Sequence, residues 1–191
     1  MSEKMKLIIG ISGASGAIYG VRLLEILKEL KVETHLIITA WGKNILEHET
    51  NMTFEKVRSL ADYMYDDTDL SADPSSGSFK VDAMVVIPCS MKTVACISSG
   101  ITSSLLTRVA DVTLKEGRHL IIVPRETPLS AVHLKNLYDL SRFGVTILPA
   151  MPGFYNKPKS LINMVDHIIG KVLDQLNLKH NLYEPWKSSE K

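Results

Sequence analysis

Short apolar runs alternate with longer amphipathic stretches along this chain, and that alternation limits its possible folds more than any other feature. Leu7, Ile8 and Ile9 read as a buried strand. The pattern returns at 33–40 (ETHLIITA), 82–90 (DAMVVIPCS), 119–126 (HLIIVPRE) and 145–150 (VTILPA). Helical spacing fills the intervals: Leu23, Leu24, Leu27 and Leu30 first, then a stretch through Ile45, Leu46 and Glu49. LLTRVADVTLKEG, SAVHLKNLYDLSRFG and SLINMVDHIIGKVLDQL continue it, with Gly144 as a helix C-cap. Near-continuous apolar strands separated by helices predict a parallel sheet covered on both faces, a three-layer α/β architecture. No internal repeat interrupts the pattern. The least ordered stretches are expected at 66–78 and after residue 178, within one domain spanning 1–191.

The first strand ends in KLIIGISGASGAIYGVRLLEIL, where Gly10, Ser12, Gly13, Ser15 and Gly16 form a small-residue turn before a helix. A strand, a tight turn and a helix N-terminus aim free N–H groups and the helix dipole at one spot, which suits an anion. The spacing is G-x-x-G-x-x-G, not the G-x-G-x-x-G of dinucleotide sites, and no Walker Lys-Ser or Lys-Thr pair follows. Either serine is equally suited to capping the helix. Further polar residues collect at the carboxyl ends of the expected strands, at Thr39, 90–93, 125–127 and 149–155. Open α/β sheets bind ligands there.

Composition excludes several classes. A net charge of +1 without a basic stripe argues against a nucleic-acid platform. No apolar run approaches the roughly 18 residues that span a bilayer, and MSEKMK lacks the apolar core of a signal peptide. Cys89 and Cys96 are too few for a disulfide framework, so a reducing cytoplasm is expected. Cys89 lies in an apolar run and reads as a buried strand-end residue, not a nucleophile.

GISGASGAIYGVRLL, SSGSF, PCSMKT, RVADVTLKEGR, VPRETPLS and PGFYNKP, in that order, resemble the UbiX family of flavin prenyltransferases across residues 6 to about 176. The resemblance implies a flavodoxin/Rossmann-like fold that binds FMN and transfers a dimethylallyl group from dimethylallyl monophosphate to the reduced flavin. The product, prenylated FMN, serves UbiD-type decarboxylases. Carried onto this sequence, the family pattern implies FMN contacts at Gly13, Ala14, Ser15, Thr39, Ser90, Met91, Lys92, Thr93 and Arg125. It implies that Arg125, Tyr155 and Lys171 hold the donor's phosphate, with Ser15 nearby; Lys171 stands where an arginine is common. Two cations and a phenol suit the charge that develops as the carbon–oxygen bond breaks.

Proton movement falls by the same resemblance to Glu49 and Glu126, with Arg108 and Lys115 as supporting charges. Arg108 and Lys115 lie seven residues apart, about two helical turns, and alone would read as a solvated face. Glu49 and Lys171 have the same plain alternative. Asp66, Asp67 and Asp69 in YDDTDL superficially resemble a magnesium-binding aspartate motif, but read as a solvated turn, and no metal is expected. The family further implies a homo-oligomer, often a dodecamer. Two rival readings are an FMN-binding accessory subunit of a decarboxylase and a flavin-dependent cysteine decarboxylase. The latter class has an asparagine-containing loop where this chain has SMKT.

Overall fold

A computed structural model describes residues 4–186. Six strands form one all-parallel sheet: β1 (Lys6–Ile11), β2 (Glu33–Ile38), β3 (Tyr63–Asp66), β4 (Ala83–Cys89), β5 (His119–Pro124) and β6 (Thr146–Ile147). Seven helices accompany them: α1 (Ala17–Glu29), α2 (Ala40–Glu49), α3 (Phe54–Arg58), α4 (Met91–Ser98), α5 (Leu105–Lys115), α6 (Ala131–Arg142) and α7 (Leu161–Gln175). The strand order is β3-β2-β1-β4-β5-β6, so the direction of winding reverses between β1 and β4.

Alternate residues of each strand feed two separate apolar cores. Leu7, Ile9 and Ile11 pack with α1 and α7 on one face. Ile8 packs with α4 and α5 on the other. Burial on both faces explains why β1 and β4 read as unbroken apolar runs.

Several elements differ from the sequence reading. β3 is a sixth strand at the sheet edge, with Tyr63 half exposed, and its short mixed pattern YMYD gives little periodic signal. α3 and α4 are too short to show one. Thr39 ends the second strand early: its hydroxyl accepts the Gly42 N–H at 3.0 Å and caps α2. The fifth apolar run keeps only Thr146–Ile147 as strand. Leu30 falls at the α1 C-cap and is exposed.

The stretch 66–78 is tied down. It carries a 3₁₀ turn at Asp73–Ser75, and Arg118 donates to the carbonyls of Phe79 (2.8 Å) and Gly77 (2.6 Å). Past residue 178, the chain through 186 also packs: Leu178 and Leu182 rest on the α1–α7 core. The remainder of that expected tail lies outside the described residues.

Candidate active site

Ser12 stitches the point where the winding reverses. Fully buried, it donates its hydroxyl to the Pro88 carbonyl at 2.9 Å and accepts the Ser90 N–H at 2.7 Å. This fixes the β1 turn against the end of β4. Beside it opens a cavity of about 290 Å³, walled by Gly13, Thr39, Asp67, Ser90, Lys92 and Thr93 among others. The strand order places this cavity at the switch point, where α/β sheets hold their ligands.

The small-residue turn meets the cavity through its backbone. A Cβ on Gly13 would lie 2.5 Å from the Trp41 Cβ, so only glycine lets α2 close against the loop. Gly16 takes φ +99°, a left-handed conformation costly for other residues, and leads the chain into α1 without a side-chain cap. Neither Ser12 nor Ser15 caps that helix. Glu49 does: its Oε2 accepts the N–H groups of Gly16 (2.7 Å) and Ala17 (3.2 Å). The α1 terminus, expected from sequence to receive a ligand's phosphate, is therefore filled by a carboxylate of the chain itself.

Positive helix ends remain at α2 and α4. Ser90 is the N-cap of α4, accepting the Thr93 N–H at 3.2 Å, so SMKT is a helix start and not a loop. Lys92 on its first turn lines the cavity. Met91 and Ala14 are both buried, which leaves them only backbone groups to offer a ligand. Glycine-lined access, hydroxyls, a lysine and two helix N-termini suit a phosphorylated flavin such as FMN.

Ser15, Glu49 and Arg125 form a compact group on the turn that follows Gly13, and Glu49 lines a second cavity with Arg22, Met52 and Ile162. Arg125 Nε donates to the Ser15 carbonyl at 3.0 Å. Burial pushes the Glu49 carboxyl up, but the Ser15 hydroxyl, two backbone N–H groups and the Arg125 charge outweigh it and hold the group below its ordinary range. Glu49 is thus ionised at neutral pH. Glu126 follows Arg125, yet its Oε1 accepts its neighbour's N–H, from Thr127, at 3.0 Å.

A second group gathers on α7. Tyr155 stands edge-on to His167, with ring centroids 5.7 Å apart, and edge-on to Trp186 at the same separation. Lys171, one turn after His167, sits 3.4 Å from Asp174 and 4.8 Å over the Tyr183 ring. A Tyr183 hydrogen bond and the Asp174 charge raise its pKa, so the ammonium stays charged. Lys171 and His167 line a cavity with Thr146 and Met151 that Glu49 and Arg125 do not reach; between the two groups Arg22 clamps α1 to α7 by donating to Asp166 at 2.7 Å.

Other expected residues fall elsewhere. Arg108 bonds the Ser75 carbonyl and Asp111. Lys115 ends α5 just before β5 begins, whereas Arg125 follows the end of β5. At about 3.3 Å per residue the strand separates them by roughly 20 Å. Cys89 is fully buried, and burial pushes its thiol up, away from nucleophilic use.

The aspartates divide. Asp66 and Asp69 close turns on Thr68 and Ser71 and are solvated. Asp67 is not a solvated spectator: it lines the cavity, and its Oδ1 accepts the Leu106 N–H at 2.9 Å in the first turn of α5, beside the Ser104 cap. Burial pushes its pKa up. Asp67 carries no periodic signal in the sequence. His167 is legible there only as the i−4 neighbour of Lys171 on one helix face.

Residues 1–179 match the Flavoprotein family. A "Probable UbiX-like flavin prenyltransferase" of Bacillus subtilis (strain 168) is 49% identical over 188 residues, covering 98% of this chain and 92% of that protein. The structure of AnUbiX (PadA1) in complex with FMN and dimethylallyl pyrophosphate superposes with TM-score 0.96 at 42% identity, covering 98% of this chain and 100% of the other. A dodecameric FMN-dependent UbiX-like decarboxylase from Escherichia coli O157:H7 superposes with TM-score 0.95 at 49% identity, covering 96% of this chain and 100% of that one. With a doubly wound sheet, a cavity at its switch point and this likeness over almost its full length, the chain belongs to the UbiX-like flavin prenyltransferase family.

Proposed function

We propose that this protein transfers a dimethylallyl group from dimethylallyl monophosphate to reduced FMN, and that the prenylated FMN supplies a UbiD-type decarboxylase of aromatic acids. The observation that carries the reading is the ionised Glu49 held on the Ser15–Ala17 turn beside Arg125, the turn whose Gly13 lines a cavity suited to a flavin phosphate.

FMN binds, in this reading, with its phosphate toward Lys92, Thr39, Ser90 and the N-termini of α2 and α4, where Gly13 leaves room. Once reduced, the bound flavin supplies the nucleophilic ring edge. Tyr155 and Lys171, with Arg125, donate to the donor's phosphate. As the carbon–oxygen bond breaks, phosphate leaves with the electron pair, and these donors stabilise the charge that develops on it. The dimethylallyl carbon bonds to the flavin; in ring closure one alkene carbon bonds to a flavin ring carbon, which loses its proton, while the other alkene carbon gains one. In this reading Glu49 takes the proton lost from the ring carbon on Oε1, the oxygen that no backbone N–H occupies.

Lys115 lies at the far end of β5 from Arg125, Arg108 is bound to the Ser75 carbonyl and Asp111, and Glu126 is committed to its local turn. We infer that they reach a site only from a neighbouring copy. The dodecameric Escherichia coli relative supports this reading. Among the described residues no helix is long and apolar enough to cross a membrane. Two free cysteines and a substrate that must stay reduced favour the cytoplasm. The chain 1–191 then acts as one flavoprotein domain.

The test is an anaerobic single turnover with reduced FMN and dimethylallyl monophosphate in which inorganic phosphate is counted. One phosphate released per FMN consumed supports the transfer. FMN bound with no phosphate released would reduce the chain to a flavin carrier.

A further inference from the structure

His167 does more than fill space behind Tyr155. It is nearly completely buried, and its Nδ1 lies 3.2 Å from the backbone nitrogen of Gly153. A backbone N–H can only donate, so Nδ1 must carry the lone pair and the ring proton must sit on Nε2. Gly153 opens the turn that carries Tyr155, and the Tyr155 ring stands edge-on to the same imidazole. One side chain therefore fixes both the backbone and the ring direction of Tyr155, whose own surface stays open.

Two buried side-chain polar atoms lack any partner among the described residues: His167 Nε2 and Asn156 Oδ1. They flank Tyr155, one on the helix behind it and one at the next position along its turn. Folds rarely keep such unpaired groups, and keep them where another requirement dominates. A neutral imidazole with its acceptor turned to Gly153 is such a requirement.

We propose that His167 is a positioning residue for the prenyl donor: it sets Tyr155 in the direction from which its hydroxyl reaches the leaving phosphate. The proposal rests on the assignment of Tyr155 to that phosphate. His167 itself touches no reacting atom.

The experiment uses the full chain, FMN and dimethylallyl monophosphate in anaerobic single turnover. H167F keeps an aromatic edge against Tyr155 but removes the acceptor. H167N places an amide oxygen near the position of Nδ1. Y155F and the double variant Y155F/H167F complete the set. For H167F, the donor concentration giving half the maximal rate should rise about tenfold or more, because an orienting hydrogen bond is lost and the Tyr155 hydroxyl is misplaced. The FMN dissociation constant should stay within about twofold, since His167 lies outside the flavin cavity. H167N should recover most of the loss. In the Y155F background, H167F should add less than about twofold, because both changes remove one function. Wild-type donor saturation in H167F beside an impaired Y155F would overturn the proposal, as would H167N failing as badly as H167F while both remain folded. A Y155F variant that saturates like wild type would instead remove the Tyr155 assignment, and the proposal with it.

Discussion

Replacing Glu49 with glutamine separates the two roles the structure gives this carboxylate. The amide side chain of E49Q keeps an oxygen that can accept from Gly16 and Ala17, so the geometry of the turn survives, but the negative charge at the α1 N-terminus is lost. A carboxylate at a helix N-terminus contributes about 0.3–1 kcal/mol when exposed and up to about 2 when partly buried. Glu49 is largely exposed to solvent, so screening keeps the figure near about 1 kcal/mol. For a chain of this size that corresponds to a melting temperature lower by about 2–4 °C at neutral pH.

The sign follows from the direction of the shift. Glu49 is held below the ordinary 4.5, so its contribution is complete above that value and is lost as pH falls through the folded-state pKa. Wild type and E49Q should therefore converge in stability as pH falls below the ordinary 4.5 and through the folded-state pKa. FMN affinity should hold, and single-turnover prenylation should slow by roughly a hundredfold, the usual worth of a proton-transfer group. Differential scanning at two pH values and rapid-quench turnover measure both effects. Equal melting temperatures at neutral pH together with an unchanged turnover rate would refute the assignment and return Glu49 to the ordinary surface.

Three other outcomes follow from the same geometry. K171A should raise the donor concentration for half-maximal rate by about tenfold or more, and K171R should restore most of it, because either cation can receive a phosphate; donor titrations of both variants decide this. D66A and D69A should leave turnover unchanged, with or without excess EDTA, since their carboxylates only close their own turns. D67A should cost about 0.5–1.5 kcal/mol through the lost bond to the Leu106 N–H, with Ser104 still capping α5, and chemical denaturation of the three variants tests the division. Burial holds His35 below its usual 6.5 against the opposing pull of Glu33, so its contribution is present above that value and lost as pH falls. The urea midpoint should drop between about pH 7.5 and 5.5, less so in H35Q; a flat or rising wild-type profile would contradict the burial argument.

The central strands are the most legible part of the fold. Both faces of β1 and β4 are buried, so every position is apolar and the run cannot be mistaken for surface. β3 is invisible in the sequence because an edge strand of four residues carries no such run, and Asp66 at its end looks like the start of a loop. α4 is hidden by its cap: Ser90, Met91, Lys92 and Thr93 read as a polar turn until Ser90 is seen accepting the Thr93 N–H. In the site, the small-residue turn is readable but its partner is not. Nothing in a linear sequence pairs Glu49 with the N–H groups of residues 16 and 17, so the open anion cradle expected there is a closed one. The same long-range character conceals Asp67 beneath α5 and His167 behind Tyr155.

The most direct test of the account is the mass of the flavin released from the protein after anaerobic incubation with reduced FMN and dimethylallyl monophosphate. The account predicts FMN heavier by one dimethylallyl unit, formed in wild type and strongly diminished in E49Q. Recovery of unmodified FMN from a folded, flavin-loaded wild-type protein supplied with the donor would contradict it.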